Sequence, residues 1–170
     1  MRWELAILLL LASCDQPKPA VSKQDVALAK TMDADIAEIR TSHPGIKGAC
    51  LKRIRAGELG AFEWIDNPDC FDMLPQQRWS GLWNSGWEWT SFCPEPAKEC
   101  PIASEQGDVW LTFGNNAYRG PELADGLYRI EFVGRRTKVP GYFGHLDQYD
   151  HLMVVDRVIW IEHVPDVHRQ

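Results

Sequence analysis

Residues 78–92 read RWSGLWNSGWEWTSF, a stretch in which tryptophans alternate with small and polar residues. Successive side chains of a β-strand point to opposite faces, so residues of one parity share a face. One such face would carry Trp79, Gly81, Trp83, Ser85, Trp87 and Trp89. The small residues leave room for the large rings, which favours a tryptophan face packed into a core. The same pattern also allows an exposed face on which sugars or bases stack.

Further strands are predicted towards the carboxyl end of the chain. Residues 108–113 (DVWLTF) form one short apolar segment, and residues 128–132 (YRIEF) alternate apolar and charged side chains. Residues 151–164 (HLMVVDRVIWIEHV) form the longest segment, where Asp156 and Arg157 mark a position for a β-bulge. Turns rich in glycine and proline separate these segments, as in small all-β folds.

The region before these strands predicts one helix and an irregular segment. In residues 22–40 an apolar stripe recurs at helical spacing, through Leu28, Met32, Ile36 and Ile39. Residues 45–77 show no regular period. We therefore predict a mainly β chain: a small OB-like barrel or sandwich over residues 78–170, preceded by an N-terminal α-helix and irregular segment in residues 25–77. Residues 25–170 are expected to form one folded unit.

Composition limits the classes of function. The chain has 170 residues, with 18 Lys and Arg against 24 Asp and Glu, a formal net charge of −6. This balance argues against nucleic acid as a partner, because that needs a clustered basic surface. Hydrophobic residues make up 45% of the chain, which is too many for a disordered protein.

The amino-terminal residues predict export and lipidation. Arg2 is followed by an apolar run, LAILLLLA, which is too short to span a bilayer, and then by LASC at residues 11–14. This string resembles the lipobox of bacterial lipoproteins. It implies a signal peptide over residues 1–13 and a lipid on Cys14, with a plain secretory signal as the alternative.

The expected location is the cell envelope, with the lipid on Cys14 in a membrane. Residues 14–24 are polar and contain two prolines, as expected of a tether between the lipid and the domain. In a Gram-negative cell the domain would lie on the periplasmic face. Asp15, by resemblance to enteric lipoproteins, favours the inner membrane.

The other four cysteines are expected to form two disulfides. An even number of cysteines in an exported chain is typical of disulfides. The short loop CPEPAKEC contains two prolines that can turn it back, so we pair Cys93 with Cys100 and Cys50 with Cys70. A zinc site is the alternative, but the chain has no CxxC or HxxxH pair to begin one.

Three segments carry a resemblance to a known group of proteins. GWEWTSFCP, DVWLTFG and YRIEFVGRRTKVPGYFGHLDQYDHLMVVDRVI are similar to segments of small bacterial lipoproteins with an OB-like domain. The resemblance spans residues 79–164, about half of the chain, and its last loop is the most specific part. It implies an OB-like barrel, and it brings no known reaction.

The last loop also contains the strongest candidate for chemistry. His145, Asp147, Asp150 and His151 lie within seven residues, and such side chains serve as metal ligands or as acid–base pairs when they converge. The alternative is structural: Gly141 and Gly144 form tight turns, and His145 hydrogen-bonds to the backbone to fix them. The structural interpretation is favoured, so we expect neither a metal nor a cofactor.

The sequence offers a small set of candidate ligand-binding residues: Trp87, Glu88, Arg135, Arg136, His145 and Tyr149. The two arginines, beside Lys138, could bind an anion or could be a charged strand edge that discourages pairing. We expect a non-catalytic envelope lipoprotein that binds a protein or an envelope polymer.

Two other functions remain open. One is an inhibitor of a wall-degrading enzyme that acts through the loop at residues 93–100. The other is a metal-dependent hydrolase that uses His145, Asp147 and His151.

Overall fold

The computed structural model describes residues 23–60, 63–86, 89–101 and 109–165, with the side chains of residues 23–26 left out. In this part of the chain two helices precede the strands of a closed barrel. Two short 3₁₀ turns lie at Pro68–Cys70 and His145–Asp147. The elements are α1 (Lys23–Ser42), α2 (Gly48–Arg55), β1 (Gln77–Ser85), β2 (Thr90–Pro94), β3 (Val109–Phe113), β4 (Gly126–Arg136) and β5 (His151–His163).

The strands form a closed barrel in the order β1-β2-β3-β5-β4, with β4 returning to β1. The pair β3–β5 is parallel, and the other neighbouring strands are antiparallel. The fold is therefore mainly β, a small OB-like barrel with an N-terminal helix, as predicted.

The tryptophan-rich stretch forms two strands rather than one. β1 ends at Ser85 and β2 begins at Thr90, so the alternation runs along two sides of a hairpin. Trp83 is buried in the barrel, and Trp79 packs against the same cluster. The core interpretation is confirmed for these two residues. Gly81 allows β2 to approach, because a Cβ there would lie 2.9 Å from the Cα of Pro94.

Strand β5 bends at the position that the sequence marked. Its register against β4 shifts between Val133 and Gly134, where Asp156 is the extra residue, and again between Glu131 and Phe132. Two bulges in one long strand add the twist that closes a barrel of so few strands.

In the part of the chain that the structure describes, two apolar clusters share β5. The barrel interior is filled by buried residues that include Phe92, Ile130, Phe132, Met153 and Val155. The second cluster lies outside the barrel, between its wall and the helical segment, and includes Trp64, Phe71, Phe143, Tyr149, Leu152 and Val154. The N-terminal segment is thus a second layer on the barrel.

Residues 45–77 are more regular than the sequence indicated. They contain α2, and a disulfide between Cys50 and Cys70 joins this helix to the following 3₁₀ turn. The second disulfide joins Cys93 to Cys100. Both predicted pairings are confirmed.

Only the second half of the apolar stripe of α1 packs against the rest of the protein. Ile36 is buried and Ile39 packs on the outer cluster, whereas Leu28 is 67% exposed. No helix among the described residues has the length and apolar character needed to cross a bilayer.

Candidate functional site

The loop between β4 and β5, residues 137–150, carries four of the candidate residues, His145, Asp147, Tyr149 and Asp150, and folds back over the outside of the barrel. The amide of Phe143 donates to the carbonyl of Tyr149 and the amide of Tyr149 donates to the carbonyl of Phe143, at 2.8 and 3.2 Å. Phe143 and Tyr149 are 1% and 0% exposed. The loop therefore has its own apolar base, from which its tip projects.

His43 ties this loop to the helical segment. Its Nε2 donates to the carbonyl oxygen of Tyr142, and its Nδ1 lies 2.9 Å from Oγ of Ser42. The ring packs edge-on against Trp64 and Phe143, with centroids 4.8 and 5.2 Å apart. Burial lowers the pKa of His43, so the neutral ring is the form that fits this bond pattern.

The tip of the loop is a turn in which three residues have positive φ. Gly144, Leu146 and Asp147 have φ of +70°, +56° and +57°. Gly144 therefore lies in the tight turn predicted for it, whereas Gly141 is not among the glycines with positive φ. Glycine is required at position 144 for a second reason, because a Cβ would lie 2.7 Å from Cδ2 of Tyr149.

One exposed apolar side chain and three partly exposed rings lie at this turn. Leu146 is 69% exposed at its apex. The ring of His145 lies edge-on to that of Trp89, 5.7 Å between centroids, and Trp110 packs against Tyr149 beneath them. We call Trp89, Trp110, His145 and Leu146 the loop-tip surface. It joins the β1–β2 turn to the β4–β5 loop.

The structure buries Tyr149, one of the predicted ligand-binding residues. Its side chain is fully buried, and its hydroxyl lies 3.2 Å from Oγ of Ser91 on β2. It covers the outer face of β2 and β3, a face with which OB-type barrels bind oligonucleotides and oligosaccharides. The aromatic character of the loop made Tyr149 a plausible contact, but those rings form the base of the loop.

Arg135 is not free to bind an anion. Its Nε and Nη2 lie 3.0 and 2.8 Å from the two carboxylate oxygens of Asp156, the bulged residue of β5. Burial acts to raise the pKa of Asp156, but hydrogen bonds from Arg135 and Gln76 outweigh it and leave the pKa low. The pair lies at the bulge, and because β4 pairs with both β1 and β5, Arg135 does not lie on a free strand edge.

His151 and Arg136 lie together at the start of β5. Nδ1 of His151 is 3.0 Å from Oγ1 of the buried Thr137. Burial and the charge of Arg136 lower the pKa of His151.

The described residues contain no group of three or more side chains able to hold a metal ion. His145, Asp147 and His151 therefore do not converge in the way that the hydrolase hypothesis needs.

Three predicted site residues lie outside the described residues: Cys14, Trp87 and Glu88. The loop at residues 93–100 is described; it is closed by its disulfide and largely exposed. Sequence reasoning missed His43, because its partner Tyr142 lies 99 positions away. The one local signal was its place before Pro44, at the end of the predicted helix.

No family model, curated protein or solved structure matches this chain. Its function is therefore inferred from its own residues.

Proposed function

We propose that this protein is a lipid-anchored binding module of the cell envelope, and that the loop-tip surface contacts a partner protein. The observation that carries the proposal is Leu146. This residue exposes a large apolar side chain and also adopts a backbone conformation that costs about 1–2 kcal/mol for an L-residue other than glycine. Neither feature helps the isolated domain to fold, and strain of this kind clusters at functional sites.

The surroundings of Leu146 favour a protein over a polymer. Trp89 and His145 pack edge to face against each other and are only partly exposed, so the exposed apolar group is the single side chain of Leu146 rather than an open platform for stacking. Aromatic and aliphatic side chains exposed in this way serve as anchors that fill pockets in partner proteins. The braced base of the loop holds Leu146 in place before binding, which reduces the entropy lost on association.

The test is photo-cross-linking in cells, with benzoylphenylalanine in place of Leu146. The matched control places the same residue at Arg129, which is exposed on β4. We expect a discrete protein adduct from position 146 and none from position 129. A chain that accumulates normally and gives no adduct at 146 contradicts the proposal. An adduct from Lys98 instead would support the inhibitor hypothesis, since Lys98 lies in the disulfide-closed loop.

A further inference from the structure

The end of α1 leaves two backbone carbonyls without the amide partners that a longer helix would supply. The carbonyl of Arg40 lacks one because Pro44, four residues later, has no amide hydrogen. The carbonyl of Ser42 lacks one because the amide of Ile46 donates to His43 instead. No other amide among the described residues donates to either oxygen. The carboxyl end of α1 therefore carries a partial negative charge that attracts cations.

A groove of about 260 Å³ lies between this helix end and the β4–β5 loop. We call it the helix-end groove, and its lining includes Ser42, Gly141, Tyr142 and Asp150. A Cβ at Gly141 would lie 3.2 Å from the carbonyl oxygen of Ser42. Glycine at this position therefore leaves space beside an oxygen that has no amide partner. The groove is smaller than the roughly 300–1,000 Å³ of pockets for drug-sized ligands, so it suits a group the size of one side chain.

The lining of the helix-end groove suits a cation. Asp150 is the one charged residue among the described residues that line it. Tyr142 is 54% exposed, whereas its neighbour Phe143 is buried. A carboxylate pairs with a cation, and the face of an aromatic ring attracts one. With the carbonyl of Ser42, the groove offers three groups that favour positive charge.

The charged residues around the groove have both signs. In the described chain, none of them lies within ion-pair distance of the carboxylate of Asp150. None of them lines the groove: they are the acidic Glu38, Asp72 and Asp147 and the basic Arg40, Lys47, Arg136 and Lys138. Burial lowers the pKa of the nearby His43 and His151, so both rings are neutral near pH 7. These surroundings give no strong attraction at a distance, so binding depends on direct contacts and should be weak.

We propose that the helix-end groove binds a primary ammonium group, as carried by a lysine side chain or a small amine. An ammonium is a compact charge with three N–H donors, which matches the carbonyl of Ser42 and the carboxylate of Asp150. Calcium and magnesium are less suited, because they take about six or more oxygen ligands and the groove supplies one carboxylate. The proposal depends neither on the lipid anchor nor on the loop-tip surface.

The test is saturation-transfer difference NMR of the purified full chain, with Nα-acetyl-lysine methylamide as the probe. The control probe is the same compound acetylated on Nε, which has no charge. We expect a saturable signal from the methylene next to the ammonium, with a dissociation constant on the order of millimolar, and none from the control probe. Butylammonium identifies the source: equal binding assigns the site to amines in general, and weaker binding assigns it to lysine in a polypeptide.

Two variants locate the binding in the groove. Asp150→Asn removes the charge and keeps the size of the side chain, so it should weaken binding of the charged probe by about threefold or more. Tyr142→Leu removes the ring and should weaken it by about two- to fivefold. The matched control is Asp147→Asn, which removes a carboxylate of the same loop outside the groove and should bind like wild type.

Three results would overturn the proposal. They are the lack of a saturable signal from the charged probe, equal signals from the charged and neutral probes, and wild-type affinity in a folded Asp150→Asn chain. A thermal melt of each variant establishes that it is folded. Because Tyr142 is more than half exposed, Tyr142→Leu decides the question if Asp150→Asn does not fold.

Discussion

At Gly144 the backbone and the space around it both exclude a side chain. The residue has φ of +70°, and a Cβ would meet the rings of Trp110 and Tyr149. We expect Gly144→Ala to lower the free energy of unfolding by about 2–4 kcal/mol, as the sum of left-handed strain and overpacking. Urea denaturation measures it.

Gly57 provides the matched control for this prediction. It has the same φ of +70°, but a Cβ there would meet nothing within 4 Å. Gly57→Ala should therefore lose only about 1 kcal/mol, the part due to backbone strain. Equal losses for the two variants would contradict the packing account of the loop tip.

His43 and His145 are expected to respond differently to removal. His43→Ala leaves a cavity among aromatic rings and an unpaired carbonyl at Tyr142, so it should lower the free energy of unfolding by about 2–4 kcal/mol. His145→Ala, at the half-exposed loop tip, should change it by less than about 1 kcal/mol. A thermal melt of both variants measures the difference, and the reverse order would restore His145 as the anchor.

The buried histidines predict a loss of stability in mild acid. Burial lowers the pKa of His43 and of His151 in the folded protein, whereas an unfolded histidine titrates near 6.5. Below that pH the unfolded chain binds more protons, so the free energy of unfolding falls as the pH drops and is fully present above about 6.5. Melting temperatures between pH 7.5 and 5 should decline, and less steeply in His43→Gln.

At the scale of elements, the two disulfides should contribute unequally. Loop entropy predicts about 3.3 kcal/mol for Cys50–Cys70, which closes the longer loop, and about 2.5 kcal/mol for Cys93–Cys100. Cys50 and Cys70 are also both buried in the outer cluster. The double variant Cys50→Ser/Cys70→Ser should therefore melt below Cys93→Ser/Cys100→Ser. The opposite order of melting temperatures would mean that the loop closed by Cys93–Cys100 contributes more to the stability of the barrel than α2 does.

The strands could be predicted because the residue pattern that specifies each strand lies within the strand itself. Alternation marked β4, and the charged pair at Asp156 and Arg157 marked the first bulge of β5. Helix α2 could not be predicted, because eight residues beginning with glycine are too few to form a helix without tertiary support. Its disulfide and the outer cluster supply that support.

At the scale of the whole molecule, the proposed lipid anchor makes a direct prediction. Cys14→Ser removes the thiol that would carry the lipid, so the variant should be absent from the lipidated membrane fraction. Flotation and intact mass measure it, and Ser13→Ala, which keeps the thiol and a small residue, is the control. A Cys14→Ser chain that matures and fractionates like wild type would contradict lipidation.

The candidate site was less predictable than the fold. The glycines of the β4–β5 loop predicted a tight turn, and Gly144 lies in one. Two features of the site depend on contacts between residues far apart in the chain. One is which histidine holds the loop, and the other is whether Tyr149 points in or out. Arg135 on β4 likewise pairs with Asp156, which lies on the neighbouring strand β5.

Both apolar clusters depend on β5, the last of the strands in chain order. Leu152 and Val154 face the outer cluster, while Met153 and Val155 fill the barrel. A growing chain whose β5 has not yet left the ribosome can form neither cluster. Folding therefore waits until β5 has been made. Under the proposed export across a membrane that delay would be useful, because the chain would stay open to translocation until β5 had passed.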